Sequence, residues 1–292
     1  MKCNNLFEKS RSPSLWKFAA VSCFLLFSGM ISGIARADLL QNIKDKGTIV
    51  IGTEARYAPF EFIEHGEIVG YDRDLLVEIM KGLPGVKVET HDLPFQGILP
   101  GLSQGKLDFV VTAVSVTNER YEKYAMTSPI ADATVAFAKR ANDNTIEKPE
   151  DVVGKIVGTQ TGTGQLLATQ DFDKKLKKKF GKGMAGIKEY VSFDEVYADL
   201  TNRRIDVAAQ SLPPLLYLQK QHPDKYKVIE PPFGPKFYFS WAGRKDNGSK
   251  SLVEFFNKRI IALRGDGTMK KLQEKWFGFA METPDVLPKP TL

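Results

Sequence analysis

One pattern occurs twice in this chain, and it narrows the folds open to it. Leu102-Ser-Gln-Gly-Lys-Leu-Asp-Phe-Val-Val111 and Leu200-Thr-Asn-Arg-Arg-Ile-Asp-Val-Ala-Ala209 each read as a helix end, a turn, a basic residue, an apolar residue, an aspartate and a strand. A repeat of about a hundred residues is too long for a solenoid and fits two lobes of similar architecture. The 292 residues suffice for both to bury a core. In the first lobe, residues 47–52 read as a buried strand, 61–63 and 67–71 as a hairpin around His65-Gly66, and 72–81 as an amphipathic helix. A strand at 86–90, a helix at 95–104 and a strand at 107–111 follow. The second lobe repeats the alternation, with strands at 156–158, 187–192 and 205–209 and a helix at 193–202. Such alternation predicts mostly parallel sheets.

The amino terminus differs from the rest. Lys2, Lys9, Arg11 and Lys17 precede an apolar run at 18–34, and Ala35-Arg36-Ala37 supplies small residues at the cleavage-reading positions. Residues 1–37 therefore read as a secretory signal peptide, with Asp38 as the mature start. The leader holds five basic residues and one acidic, which leaves +2 of the formal +6 on the mature chain. Nucleic-acid binding thereby loses its electrostatic motive. Both cysteines, Cys3 and Cys23, lie in the leader, so no disulfide, thiolate metal site or thiol nucleophile is expected afterwards.

The chemistry concentrates at strand ends. The strand at 107–111 is followed by Thr112, Ala113, Ser115 and Thr117, and Arg120 comes three positions after the last. A guanidinium presents a planar fork that matches a carboxylate bidentately, and inward hydroxyls add donors. In the second lobe, Thr159-Gln-Thr-Gly-Thr-Gly-Gln165 is a small-residue loop opening a helix, and its free N–H groups attract anions. The strand at 205–209 ends at Gln210 and Ser211. Ligands of open α/β sheets bind outside the carboxyl ends of strands, so two such ends facing each other make a cleft.

Over residues 47–277 the chain resembles the solute-binding proteins of the polar amino-acid uptake family, periplasmic components of ATP-driven importers. The motifs are Ile51-Gly-Thr-Glu-Ala-Arg-Tyr-Ala-Pro-Phe-Glu61, Val69-Gly-Tyr-Asp72, Phe95-Gln-Gly-Ile-Leu-Pro-Gly-Leu102, Thr117-Asn-Glu-Arg120, Gly162-Thr-Gly164, Asp199-Leu-Thr-Asn-Arg-Arg-Ile-Asp206 and Gly265-Asp-Gly-Thr268 before Lys275-Trp-Phe277. The resemblance implies an α/β fold of the type II periplasmic-binding-protein kind. Two Rossmann-like lobes, 38–137 with 237–292 and 138–236, are joined by two crossing strands and close on a ligand by a hinge. It further implies that Arg120 clamps the ligand's α-carboxylate with Ser115, while Thr112 and the Ala113 backbone contribute from the same strand end. Thr163 and Gly164 supply donors from the opposite lobe, Tyr57 and Phe95 sandwich the ligand, and Glu54 reads its side chain. Where the family places an aspartate for the ligand's ammonium, this chain has Ser211. A buried ammonium without a counter-charge costs about several kcal/mol. Either Glu54 takes that role, or the ligand is an opine, a betaine-like zwitterion or another modified amine.

The implied partners are such a ligand and an inner-membrane ABC permease, with no nucleic acid, no cofactor, no metal and a monomeric chain in the periplasm. A periplasmic dehydratase resembling cyclohexadienyl dehydratase is the alternative; it would reuse Arg120 and employ Glu54 as general acid. Against an enzyme stand the absence of HExxH, GxSxG, a P-loop or carboxylates paired at useful spacing, and the polar, turn-like contexts of His65, His91 and His222.

Overall fold

The computed structural model describes residues 38–292; the expected signal peptide lies outside them. Helix α1 (Leu39–Lys46) is capped by Asp38, whose side chain accepts from the Gln41 N–H, and leads into β1 (Thr48–Thr53). Three short strands, β2 (Arg56–Tyr57), β3 (Glu61–Glu64) and β4 (Glu67–Val69), pair antiparallel in a small sheet. His65 and Gly66 between β3 and β4 both have positive φ, 53° and 86°, the twist a two-residue hairpin requires. Helix α2 (Tyr71–Met80) starts after Gly70. Gly70 has φ 129°, and a Cβ there would lie 2.3 Å from the Phe60 carbonyl oxygen, so the hairpin can fold back only onto glycine. Then come β5 (Lys87–Asp92), α3 (Phe95–Ser103), β6 (Phe109–Ser115), α4 (Asn118–Lys123), β7 (Tyr124–Met126) and β8 (Ala131–Asp132).

The second lobe holds β9 (Val135–Arg140), β10 (Ile156–Gln160), α5 (Gly164–Phe180), β11 (Gly186–Tyr190), α6 (Phe193–Thr201), β12 (Val207–Ser211), α7 (Leu212–Gln221) and β13 (Tyr226–Phe233). The chain then returns through β14 (Tyr238–Arg244), α8 (Lys250–Gly265) and α9 (Thr268–Phe277). The two large sheets run β5-β1-β6-β14-β7, with β8 on β14, and β11-β10-β12-β9-β13. The chain passes between them at residues 133–134 and 234–237, and the Ala133 N–H donates to the Phe237 carbonyl at 2.9 Å, which ties the two crossings together.

Several expectations need correcting. The sheets are only half parallel: β1 pairs parallel with β5 and β6, and β10 with β11 and β12, whereas β14 and β9 run antiparallel to β6 and β12. The antiparallel pairs belong to the strands beside the crossings, whose direction the returning chain sets. The strand expected at 107–111 extends to Ser115 because β14 keeps pairing with it, Phe239 opposite Ser115 and Ser240 opposite Val114. Thr112, Ala113 and Ser115 are thus strand residues, all buried. α1, α7 and β13 were not foreseen. Both Pro213 and Pro214 sit in the first turn of α7, where their missing N–H groups are not needed. β13 is an edge strand, a place that tolerates Pro231 and Pro232.

Candidate ligand-binding site

Arg120 lies in α4, and the Thr117 side chain caps that helix by accepting from the Arg120 N–H. Its guanidinium is turned back onto β6: Nη1 donates to the Ser115 carbonyl at 2.9 Å and to Ser115 Oγ at 3.1 Å. Nη2 donates to the Gly162 carbonyl of the facing lobe at 2.5 Å. The Phe95 ring lies under it, 5.1 Å from Cζ to the centroid, a cation–π distance. Among the described residues no carboxylate comes within ion-pair distance of Arg120. Burial pulls its pKa down to about 10, yet it stays charged at neutral pH. A buried guanidinium held by neutral acceptors alone is poised for an anion from outside the chain.

The facing jaw is the start of α5. Thr163 is its cap: its Oγ1 accepts from the Leu166 N–H and donates to the Gln160 carbonyl at 2.7 Å, so only backbone remains for a ligand. The Gly164 N–H donates to Ser115 Oγ at 3.0 Å across the cleft. Gln165 reaches further. Its Nε2 donates toward three oxygens, Tyr57 Oη at 3.0 Å, Gln210 Oε1 at 3.0 Å and Ser211 Oγ at 2.9 Å. Tyr57 Oη donates in turn to Gln210 Oε1 at 2.9 Å. Two amide atoms in this cluster are buried without a partner, Gln165 Oε1 and Gln210 Nε2. Tyr57 is fixed by stacking on Phe60 at 5.5 Å and by Phe193 of the other lobe at 5.5 Å.

Glu54 is 2% exposed, not a loop carboxylate in solvent. Its Oε1 accepts from Gln160 Nε2 at 2.6 Å. Burial pushes its pKa up to about 8, against the Gln160 hydrogen bond and Arg56, which pull it down; the neutral acid is the main form at pH 7. Behind it sits a carboxyl pair that sequence spacing did not reveal. Glu61 Oε1 accepts from Thr112 Oγ1, and Glu61 faces Asp72 because the β3–β4 hairpin folds back onto α2. Desolvation and then Asp72 hold Glu61 well above the usual carboxylate range, while desolvation lifts Asp72 to about 7. Such a pair shares a proton near neutrality.

The sequence model for bacterial extracellular solute-binding proteins, family 3, matches residues 49–279. The chain belongs to that family. The L-cystine-binding protein TcyJ of Escherichia coli (strain K12) is 29% identical to this family 3 chain over 264 residues, covering 88% of this chain and 93% of that protein. The histidine-binding periplasmic protein of the same organism is 29% identical over 282 residues, covering 89% and 96%. Among solved structures, an ancestral arginine-binding protein bound to arginine is 35% identical with a TM-score of 0.68, covering 80% of this chain and 99% of that one.

In this family 3 protein, Glu54, Tyr57, Phe95, Thr112, Ala113, Ser115 and Thr163 line one cavity of about 10 Å³ between the lobes, the room of about one water. Arg120, Gly164 and Ser211 border it through the bonds given above. Gln160 and Gln165 also line it, and Gln210 completes the acceptor cluster; sequence reading named none of the three as site residues. Gln210 stands at a strand end and Gln165 at a helix start, positions that could have flagged them. Among the described residues no helix is long and apolar enough to cross a membrane.

Proposed function

We propose that this chain is the exported, monomeric solute-binding subunit of an ABC importer, taking an amino acid or a close analogue between its lobes and presenting the closed form to a permease. The observation that carries this reading is Arg120, a buried cation with no carboxylate of its own among the described residues. The ligand's α-carboxylate would take the Nη groups, Ser115 Oγ and the N–H groups at the start of α5. Its amino group would replace Gln165 Nε2 among Tyr57 Oη, Gln210 Oε1 and Ser211 Oγ. Three acceptors match the three N–H bonds of a primary ammonium. An opine's secondary ammonium would satisfy two of them, and a betaine's quaternary nitrogen none, at about 1–3 kcal/mol for each buried acceptor left unpaired. With Glu54 mainly neutral at pH 7, the absence of the family aspartate at Ser211 leaves the ammonium to neutral acceptors, unless its arrival takes the proton from Glu54.

Titration calorimetry of residues 38–292 against amino acids, opines and betaines tests this. Binding of primary-amine amino acids, lost in Arg120→Ala, is expected. Turnover of prephenate or arogenate with no amino-acid binding would favour the dehydratase reading instead.

A further inference from the structure

The segment that follows α9 starts on the first lobe and reaches the second. Phe279 and Met281 pack on the core, and the Met281 N–H donates to Gln273 Oε1 at 2.8 Å. Arg264 then holds the chain twice, donating from Nε to Thr283 Oγ1 at 3.2 Å and pairing through Nη1 with Asp285 Oδ1 at 2.8 Å. Ser128 Oγ donates to the Asp285 carbonyl. All these anchors belong to the first lobe. At Leu292 the chain touches both lobes at once. The Asn118 N–H, at the start of α4, donates to the Leu292 carbonyl at 2.6 Å, while Thr291 and Leu292 form one side of a groove of about 560 Å³. Its other walls come from the second lobe: Pro149, then Phe172 and Lys175 of α5, Phe233 at the end of β13, and Gly234 and Pro235 of the second crossing. Leu292 is half-buried and packs on the main apolar core.

We propose that residues 282–292 are a strap that fastens the two lobes to each other and sets how readily the cleft opens. The helices it joins are those of the two jaws: Asn118 stands two positions before Arg120 in α4, and Phe172 and Lys175 lie on α5, whose start carries Thr163 and Gly164. α4 and α5 move with opposite lobes, so widening the cleft pulls Leu292 from one of its two seats. An apolar side chain withdrawn from its groove returns to water, and the Asn118 N–H loses its acceptor; both losses oppose opening. Pro288 and Pro290 lie in the span between Asp285 and Leu292 and fix φ there, which leaves less slack than an ordinary coil. The strap acts in the ligand-free protein too, where it favours the arrangement with Gly164 against Ser115. Slower exchange of a solute is the one consequence that rests on the import reading above.

Residues 38–292 contain no cysteine, so nitroxide labels at Lys81→Cys and Lys178→Cys, both exposed and one on each lobe, report the opening by pulsed electron-spin distance measurement with no solute added. Asn118→Pro removes the N–H and little else: position 118 is the first of α4, where proline fits, and Thr117 before it is extended. Asn118→Ala keeps that N–H. Leu292→Asp removes the apolar anchor, and Leu292→Met keeps it. Asn118→Pro and Leu292→Asp are expected to raise the population of a longer distance at least threefold over wild type, with Asn118→Ala and Leu292→Met matching wild type and all four melting cooperatively. Distance distributions that superimpose across wild type and all four variants overturn the strap, as does a shift in Asn118→Ala equal to that in Asn118→Pro. Failure of every amino acid to bind in calorimetry would sink the import reading instead, and the distances would still decide the strap.

Discussion

Gly164 and Ser115 touch across the cleft: the Gly164 N–H donates to Ser115 Oγ at 3.0 Å, and a Cβ at position 164 would fall 2.8 Å from the Ser115 Cβ. Closure therefore depends on a missing side chain. Gly164→Ala is expected to weaken ligand binding about tenfold and Gly164→Val to abolish it, with the melting temperature of the ligand-free protein little changed. Small-angle scattering with saturating ligand should show the valine variant still open. Wild-type affinity in Gly164→Val would show that this contact does not gate closure.

Arg120→Ala removes a charge-assisted fork, a loss of about 2–5 kcal/mol or roughly 30- to 4,000-fold in affinity. Arg120→Lys should fail to rescue it, because a lysine offers a point charge without the planar pair of donors. Folding should survive in both, checked by thermal melting. An alanine variant that binds like wild type removes Arg120 from the site.

Glu54, neutral at pH 7 with a pKa of about 8, is expected to lose its proton when a cationic ligand such as L-arginine arrives beside it. Heats of binding at pH 7 should then differ between phosphate and Tris buffers by an amount that tracks their ionisation enthalpies. In Glu54→Gln the difference should vanish and cationic ligands should bind more weakly. Buffer-independent heats in the wild type would rule out proton release.

Glu61 and Asp72 give the ligand-free protein a pH signature. Both have folded-state pKa values above their ordinary ones, so the native state holds more protons than the unfolded chain. Their favourable contribution is complete below about pH 4 and is lost as pH rises through about 7 and beyond. Glu54 acts in the same direction. Glu61→Gln, which can still accept from Thr112 Oγ1, should flatten the fall in melting temperature between pH 5 and pH 8. A wild-type melting temperature that climbs over this range would contradict the shared-proton pair.

The first strand, the β3–β4 hairpin, α2 and the Ser115–Arg120 pairing were legible because each is set by residues close in sequence. The hairpin needs φ above zero at His65 and Gly66, and α2 needs only its own apolar stripe. What escaped reading depends on distant neighbours. Gln165 meets Tyr57 across more than a hundred positions, and nothing local in Thr163-Gly164-Gln165 says which way that amide points. Likewise Glu61 and Asp72 look like independent surface acids until the hairpin folds over them. Pro213, Pro214, Pro231 and Pro232 are poor in the middle of elements but harmless where they stand, at a helix start and on an edge strand.

The bond from the Ala133 N–H to the Phe237 carbonyl makes the two crossings a double-ply hinge. If the lobes close on a solute as proposed, two segments fastened side by side would resist twisting and sliding and would favour rotation about a single axis. A membrane partner that inspects this protein would then have one angle to measure, and whatever solute lies inside is reported outward as a single yes or no.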